Sequence, residues 1–591
     1  MTIDNSKDRV IETDILVIGG GIGGCFAALY AIEGGAQVVL LDKAAVRRSG
    51  AAGMGIAMWH QLLPPGFTLN DIAKDLITSG RKFLGTASYM SIMKGLIDEN
   101  LIYIGYRDSW EVVNALEKWG INMKWDDGQY FFSPDPSMPD NIFFHGRNIK
   151  RGLADQLKSS SVTVLERTMG VDLLTKNGEI AGATALNVRS GEFIIIKAKA
   201  IVLATGTISR IFNPFLQTAP GRFRMLYNYY AGSGDGIAMA FRAGADLVNI
   251  EVSGVGAFLA GTRTEKIPTY FVPSGARIYD AKGEQLEREN CPGGLSIRTQ
   301  YKLEREGRAP CLYDAIHLPD KWHEAMLAED WNEGVSADEW RELIKIHPLL
   351  KPECQPINVK FLKDRGLNTR KERYEILHYR PEHNSIIGGL RYDENGQTTV
   401  KSLFAVGDMT GGSTLMGAAQ AAVFGMRAAK HATTNLVKMH QLAIDKSQVV
   451  DQKEMVLAPQ KVKRGVEPLE VEIKIRDIVE RYCGPERSEG GIIQGLSRLR
   501  QIRNKFLPEL TARDYHELMT AQEVRNLFLM AEVYMVCARE REEGGMNNYR
   551  LDRPEKADVP WEKAIVARLE KGEIKISRKK MPELKQEYRS K

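Results

Sequence analysis

The first strong pattern along the chain is a short apolar, β-branched run at residues 13–18 (TDILVI), followed by a glycine block at 19–24 and by small and apolar residues as far as Glu33. The run predicts a buried strand and the small-residue stretch a buried helix, which Gly34-Gly35 stops. Residues 37–41 (QVVLL) start a second strand that ends at Asp42, so the chain opens with a β-α-β unit. Helical patterning dominates residues 68–119, and 123–139 read as a polar, aromatic loop region. Two strand patterns, 162–165 and 180–188, precede a long apolar run at 193–204 (FIIIKAKAIVLA), closed by Thr205-Gly206. From 252 to 373 the α/β rhythm breaks into short strands, loops and charged helices such as 297–308 and 337–346, which predicts an inserted domain. Strand-and-glycine character returns at 386–390 and 402–408, followed by a small-residue helix over 417–432. Residues 445–465 read as a polar linker, 466–543 as helical, and Gly544 onward as an extended arm.

Composition narrows the classes. A hydrophobic share of 43% and a charged share of 26% over 591 residues predict ordinary globular domains. The net charge is +5, and residues 571–591 alone supply that excess with eight basic and three acidic side chains. The rest is neutral, which argues against nucleic acid, because counterion-release binding needs a basic face. Six cysteines without a C-x-x-C pair offer neither an iron–sulfur cluster nor a structural zinc, and fit a reducing compartment. Residues 15–32 are eighteen positions without a charge, long enough to span a membrane, but five are glycine and the preceding residues are net acidic. The expectation is a cytoplasmic protein with no membrane span.

The chemistry starts at Gly19-x-Gly21-x-x-Gly24, set between a strand and a helix, with Asp42 ending the next strand. Glycines there let the backbone turn and approach a pyrophosphate, the helix N-terminus offers free N–H groups, and Asp42 can accept from a ribose hydroxyl. A side chain at Gly21 is expected to fill the pyrophosphate space and to strain the backbone. FAD and NAD share this pattern, and three further segments separate them, the first two by their resemblance to flavin-contacting segments of two-dinucleotide-fold flavoproteins. Ala204-Thr205-Gly206 closes one strand, Gly407-Asp408 closes a late one, and Arg47 to Gly55 follows the ribose acid directly.

With these segments the chain resembles, from about residue 12 to 555, the flavoprotein subunits of the succinate dehydrogenase/fumarate reductase family. The resemblance implies an α/β fold. A two-dinucleotide-binding-fold (Rossmann-like) FAD domain covers 1–250 and 374–444, with an inserted α+β capping domain over 251–373. A linker at 445–465 leads to a helical C-terminal domain with a basic tail over 466–591. It implies FAD contacts from Gly19, Gly21, Gly24, Asp42, Lys43, Ser49, Gly50, Ala51, Ala204, Thr205, Gly206, Asp235, Gly407 and Asp408. The family's covalent attachment histidine is replaced by Gly50 in Arg48-Ser49-Gly50-Ala51, so the FAD should be non-covalent. That wording, and 295–298 followed by 304–314, is similar to adenylylsulfate reductase alpha subunits.

Alone, Arg298 reads as a helix-surface arginine near Glu304, and His383 as a histidine satisfied by backbone in a glycine-rich turn. The resemblance implies catalytic roles for both, at the junction of flavin and capping domains, with His378 a weaker candidate. Two anion-binding groups of the dicarboxylate enzymes are missing, since 251–258 holds neither His nor Arg and 411–417 holds no Arg. Leaving a second carboxylate unpaired in a dry site is costly, so succinate and fumarate are poor candidates. Tyr270, Phe271 and Trp59 could stack on an adenine, but aromatic residues near a flavin are more often core, and 538–552 loosely matches the family's closing arginine signature. The implied function is an FAD-dependent oxidoreductase exchanging electrons between a small anionic substrate and an iron–sulfur partner, compatible with an oligomer. An adenylylsulfate reductase alpha subunit and a non-catalytic flavin relay subunit remain as alternatives.

Overall fold

A computed structural model describes residues 8–53, 55–78, 94–124, 128–132, 140–219, 222–225, 231–254, 257–259, 275–289, 294–319, 368, 370–378, 382–383, 387–413, 417–545, 548–557 and 559–589. Tyr270, Phe271 and the helix expected at 337–346 lie outside them.

The β-α-β reading is realised as β1 (Arg9–Ile18), α1 (Ile22–Glu33) and β2 (Val38–Asp42). The two strands pair in parallel, Ile15 with Val38 through Ile18 with Leu41. They sit in a seven-stranded sheet in the order Thr163–Glu166, β2, β1, Phe193–Leu203, Glu179–Asn187, Thr168–Lys176. The long Phe193–Leu203 strand changes partner on one edge. Phe193 to Lys197 pair antiparallel with the preceding strand, and Ile201 to Leu203 pair in parallel with the late strand Leu403–Ala405. That switch brings the strand ends at Ala204 and Val406 beside the end of β1, where an open parallel sheet binds ligands.

Helix α1 is buried over Ile22–Ala31 and packs against the small-residue helix Gly417–Asn435. The helices approach until a Cβ on Gly425 would collide with the Gly23 carbonyl. Alanine and glycine at the crossing permit this approach, and bulkier residues would push the helix ends out of line.

The inserted region contributes a five-stranded antiparallel sheet, in the order Ala257–Leu259, Tyr374–His378, Leu312–Asp314, Arg277–Tyr279, Gln285–Leu286, and the helix Ile297–Arg305. Helices Pro468–Cys483, Glu489–Lys505 and Tyr515–Glu540 pack on each other, and the last of them packs on the helix Asp235–Arg242.

Two stretches differ from their sequence reading. Residues 445–465, expected as a linker, hold the helix Lys446–Leu457, capped by the Asp445 side chain. Its polarity is used against the sheet: Gln448 bonds both backbone groups of Thr175, and Gln452 bonds Thr184 and Leu173, while Val456 and Leu457 are buried. The arm after Gly544 contains the hairpin Ala564–Glu570 and Glu573–Lys579, which joins Leu247–Val248 in a sheet built from distant parts of the chain. Beyond it Tyr588 stacks on Tyr103 at 4.4 Å, and Leu584 N–H donates to Glu99.

Gly425→Ala tests whether the helix crossing is as tight as described. Overpacking of this kind costs about 1–3 kcal/mol, so the variant should unfold several degrees lower in a thermal melt. An unchanged midpoint would mean the crossing is loose.

Candidate functional site

The turn from β1 into α1 is three residues long, and its glycines have different duties. Gly19 has φ +106°, and a Cβ there would run into the Ala204 carbonyl. A Cβ on Gly24 would run into the Gly19 carbonyl. Gly21 has φ −65°, and the nearest atom to its Cβ position is the Ala204 carbonyl oxygen at 3.7 Å. The backbone strain expected at Gly21 is therefore absent, because that φ suits any residue. A side chain at Gly21 would instead project into open space beside the helix N-terminus.

Asp42 is buried at the end of β2. Its Oδ2 accepts from Gly20 N–H at 2.9 Å and Ser49 Oγ at 2.7 Å, and its Oδ1 accepts from Ala44 N–H at 2.7 Å. A carboxylate has about four lone-pair sites, so one on Oδ1 is left for a ligand hydroxyl. Lys43 points elsewhere: its ammonium donates to Ser233 Oγ at 2.7 Å, Asp235 Oδ2 at 2.8 Å and Glu523 Oε1 at 2.6 Å. Burial works against that charge, and the two carboxylates outweigh it and hold the Lys43 pKa above its ordinary value. Burial likewise opposes the Asp235 charge, and Lys43 holds that carboxyl below its ordinary range. With all three protons engaged, Lys43 ties the cavity wall to the C-terminal helix Tyr515–Glu540.

These segments line one cavity. Around it stand Gly19, Gly21, Asp42, Lys43, Ser49, Gly50, Ala51, Ala204, Thr205, Gly206, Asp235, Gly407 and Asp408. Gly24 is buried in the helix just behind. Three helices, α1, Asp235–Arg242 and Gly417–Asn435, contribute first-turn residues to the lining, which aims their N-terminal N–H groups and partial positive charge inward. Burial pushes the Asp408 carboxyl up, and it has no hydrogen-bond partner among the described residues. A channel with a free carboxylate position at one acid, an unpartnered acid at another strand end and anion-seeking helix ends fits a dinucleotide carrying hydroxylated sugar carbons. Sequence reasoning missed Lys150 and the 168–170 wall. Lys150 stands beside Arg151 in an amphipathic helix, and nothing in its local pattern separates it from a surface lysine.

Arg298 and His383 are not among the residues lining this cavity. Arg298 is exposed in the first turn of its helix, behind the Ser296 cap, with its guanidinium 5.3 Å over the Tyr549 ring. The His383 backbone pairs with Ser253 in a two-stranded sheet. Two residues before Ser253, Glu251 is fully buried against Arg541, which bonds it through Nε at 3.1 Å and Nη2 at 2.8 Å. Arg550, next to Tyr549, donates to the Arg541 and Arg539 carbonyls and pairs with Asp552. The helix end at 538–543 is solvated at Arg539, which is exposed and pairs with Glu489, but not at Arg541, whose side chain is 3% exposed. Trp59 is wholly buried against Phe144, which makes it core rather than a stacking platform.

Comparison with known proteins agrees with this layout. Residues 14–422 match the family model for an FAD binding domain, and 472–589 that for the fumarate reductase flavoprotein C-terminal region. One subunit of the fumarate reductase (CoM/CoB) of Methanothermobacter marburgensis is 23% identical, over 95% of this chain and 98% of its own. The L-aspartate oxidase of Vibrio cholerae is 23% identical over 93% and 97%. The solved adenylylsulfate reductase of Archaeoglobus fulgidus superposes with a TM-score of 0.76, at 23% identity over 99% of both chains.

Two outcomes check the cavity. Gly21→Val should fold with the thermal midpoint of wild-type apoprotein yet purify colourless, whereas Gly24→Val should fail to fold; full flavin occupancy in Gly21→Val would refute the placement. Among the described residues the cavity lining holds no His, Cys or Tyr, and Gly50 offers no nucleophile. Acid precipitation should accordingly leave the yellow colour in the supernatant, and colour in the pellet would reveal a covalent bond.

Proposed function

The chain belongs to the flavoprotein family that joins an FAD binding domain to a fumarate reductase flavoprotein C-terminal region, and we propose that it moves an electron pair between FAD and a small anionic substrate held near Arg298 and His383. It is an FAD-dependent oxidoreductase of the fumarate reductase and adenylylsulfate reductase type. Bound FAD supplies a two-electron acceptor and donor, and the protein supplies position and charge. In this reading the α1 turn holds the pyrophosphate, Asp42 the ribose, and Asp408 a hydroxyl of the sugar chain.

The observation that carries the reading is the convergence of the β1–α1 turn, the Ala204-Thr205-Gly206 turn and the Gly407-Asp408 turn on one cavity. The substrate class is supported by the neighbouring junction. Tyr549, Arg550, Arg541, Glu251 and Ser253 form a continuous set of contacts that links Arg298 and the His383 strand to the same seam of capping and C-terminal regions. Arg541 is engaged by Glu251 and Arg550 by Asp552, so neither is available to a second carboxylate. That favours a substrate with one anionic group over a dicarboxylate. Relatives of equal identity are named for fumarate reduction and aspartate oxidation, so the substrate is to be read from this seam rather than transferred. An electron partner is supported by the naming of one relative as a subunit of its enzyme, and we take an iron–sulfur protein for that role because the sequence has no C-x-x-C pair of its own.

Arg298→Lys keeps the charge and loses the planar fork, so flavin content should stay near normal while turnover falls on the order of a hundredfold. His383→Ala should act in the same direction, more mildly. The measurement is reoxidation of the reduced flavin by a panel of small organic and sulfur oxyanions. Wild-type turnover in both variants would sink the substrate-site assignment, and absence of any substrate-dependent reoxidation by the wild type would favour a relay.

A further inference from the structure

We propose that Lys150 is an anion-binding residue of the dinucleotide site, its ammonium held against the turn into α1 to neutralise the cofactor's pyrophosphate. The inference rests on the reading that FAD occupies the cavity described above.

Lys150 is the second residue of the helix Ile149–Ser159, is 2% exposed, and lines the cavity. Its Nζ donates to the Gly20 carbonyl, in the middle of the glycine turn, and lies 3.9 Å from Cys25 Sγ in the first turn of α1. An ammonium has three protons to place, and Lys150 has no carboxylate within ion-pairing distance among the described residues. The acids lining the cavity do not serve it. Asp42 is engaged by Gly20, Ala44 and Ser49, Asp235 is paired with Lys43, and Asp408 makes no contact with it. Cys25 is no counter-ion either: burial raises its thiol pKa, so it stays neutral.

The surroundings sharpen the imbalance. Neither α1 nor Gly417–Asn435 has an acidic residue in its first turn, and α1 has no side-chain cap. Two helix N-termini and a buried ammonium therefore put like-signed charge around one space. Burying an unpaired cation against a helix N-terminus is unfavourable unless an anion completes the site. The pyrophosphate brings negative charge to the place where the glycine turn opens.

The test uses apoprotein of the full chain as wild type, Lys150→Met and Lys150→Arg. FAD affinity is read by flavin fluorescence, ADP affinity by competition with FAD, and stability by thermal melts of apoprotein. ADP carries the pyrophosphate without the flavin. Losing one charge-assisted contact should weaken FAD between about tenfold and a hundredfold. ADP should weaken in parallel, Lys150→Arg should stay within a few fold of wild type, and apoprotein of Lys150→Met should melt no lower than wild type. If Lys150→Met does not fold, Lys150→Gln carries the same readouts. Unchanged FAD affinity would overturn the proposal, as would a drop in apoprotein stability that accompanies the loss of affinity. Weakened FAD with unchanged ADP would place the charge on the flavin ring and also overturn it. Wild-type apoprotein that takes up no FAD would defeat the cofactor reading itself, and the role of Lys150 with it.

Discussion

The structure hangs on a backbone contact that no side chain can enter. Gly24 lets α1 approach until its backbone touches the Gly19 carbonyl, and Gly19, at a left-handed φ, lets that turn lie on the Ala204 carbonyl. Those contacts fix where α1 begins, which strand end lies beside it, and the direction in which its free N–H groups point. The Gly417–Asn435 helix is set by a second contact of the same kind, Gly425 on the Gly23 carbonyl. Close packing of backbone on backbone leaves little room to relax, so the cavity inherits its shape from glycines rather than from the residues that line it.

Charge completes what packing begins. A buried chain of ion pairs runs from the cavity wall into the helical region: Lys43 to Asp235 and Glu523, Glu523 to Arg210, Arg210 to Glu472, and Glu472 to Arg476. Each member is satisfied by more than one neighbour, which is the condition under which buried charge specifies a single arrangement rather than destabilising it. The C-terminal helices are thus part of the cavity's support, although among the described residues none of theirs lines it. A separate buried pair, Glu251 with Arg541 beneath Trp561, joins the same helices to the seam where the inserted region starts.

The cofactor segments are legible in the sequence because each is a strand end followed by glycine or an acid, a pattern whose chemistry is local. Thirteen of the fourteen residues expected to contact FAD do line one cavity, and Gly24 stands directly behind it. Lys43 shows the limit of that reading. Its position directly after Asp42 suggests a ligand contact, yet its protons go to Ser233, Asp235 and Glu523, residues 190 to 480 positions away. Arg541 reads as a helix-end arginine because the run Arg539-Glu-Arg-Glu-Glu543 looks solvated, and its partner Glu251 is 290 residues distant. The polar segment 445–465 reads as a linker for the same reason: glutamines that bond a distant sheet have the composition of a loop.

The sequence by itself determined the β-α-β opening, the glycine turn and the order of the segments that line the cavity. All of these depend on contacts within a few residues, where periodicity and glycine placement are direct consequences of backbone geometry. Only the tertiary structure decided that residues 564–589 form a hairpin on Leu247–Val248 and a tail on the Glu99–Arg107 helix. It alone separated Lys43, fully paired, from Lys150, buried without a carboxylate partner among the described residues. Two lysines look alike in a sequence because charge is a property of the residue, whereas whether that charge is compensated depends on which distant groups the fold brings within about 4 Å.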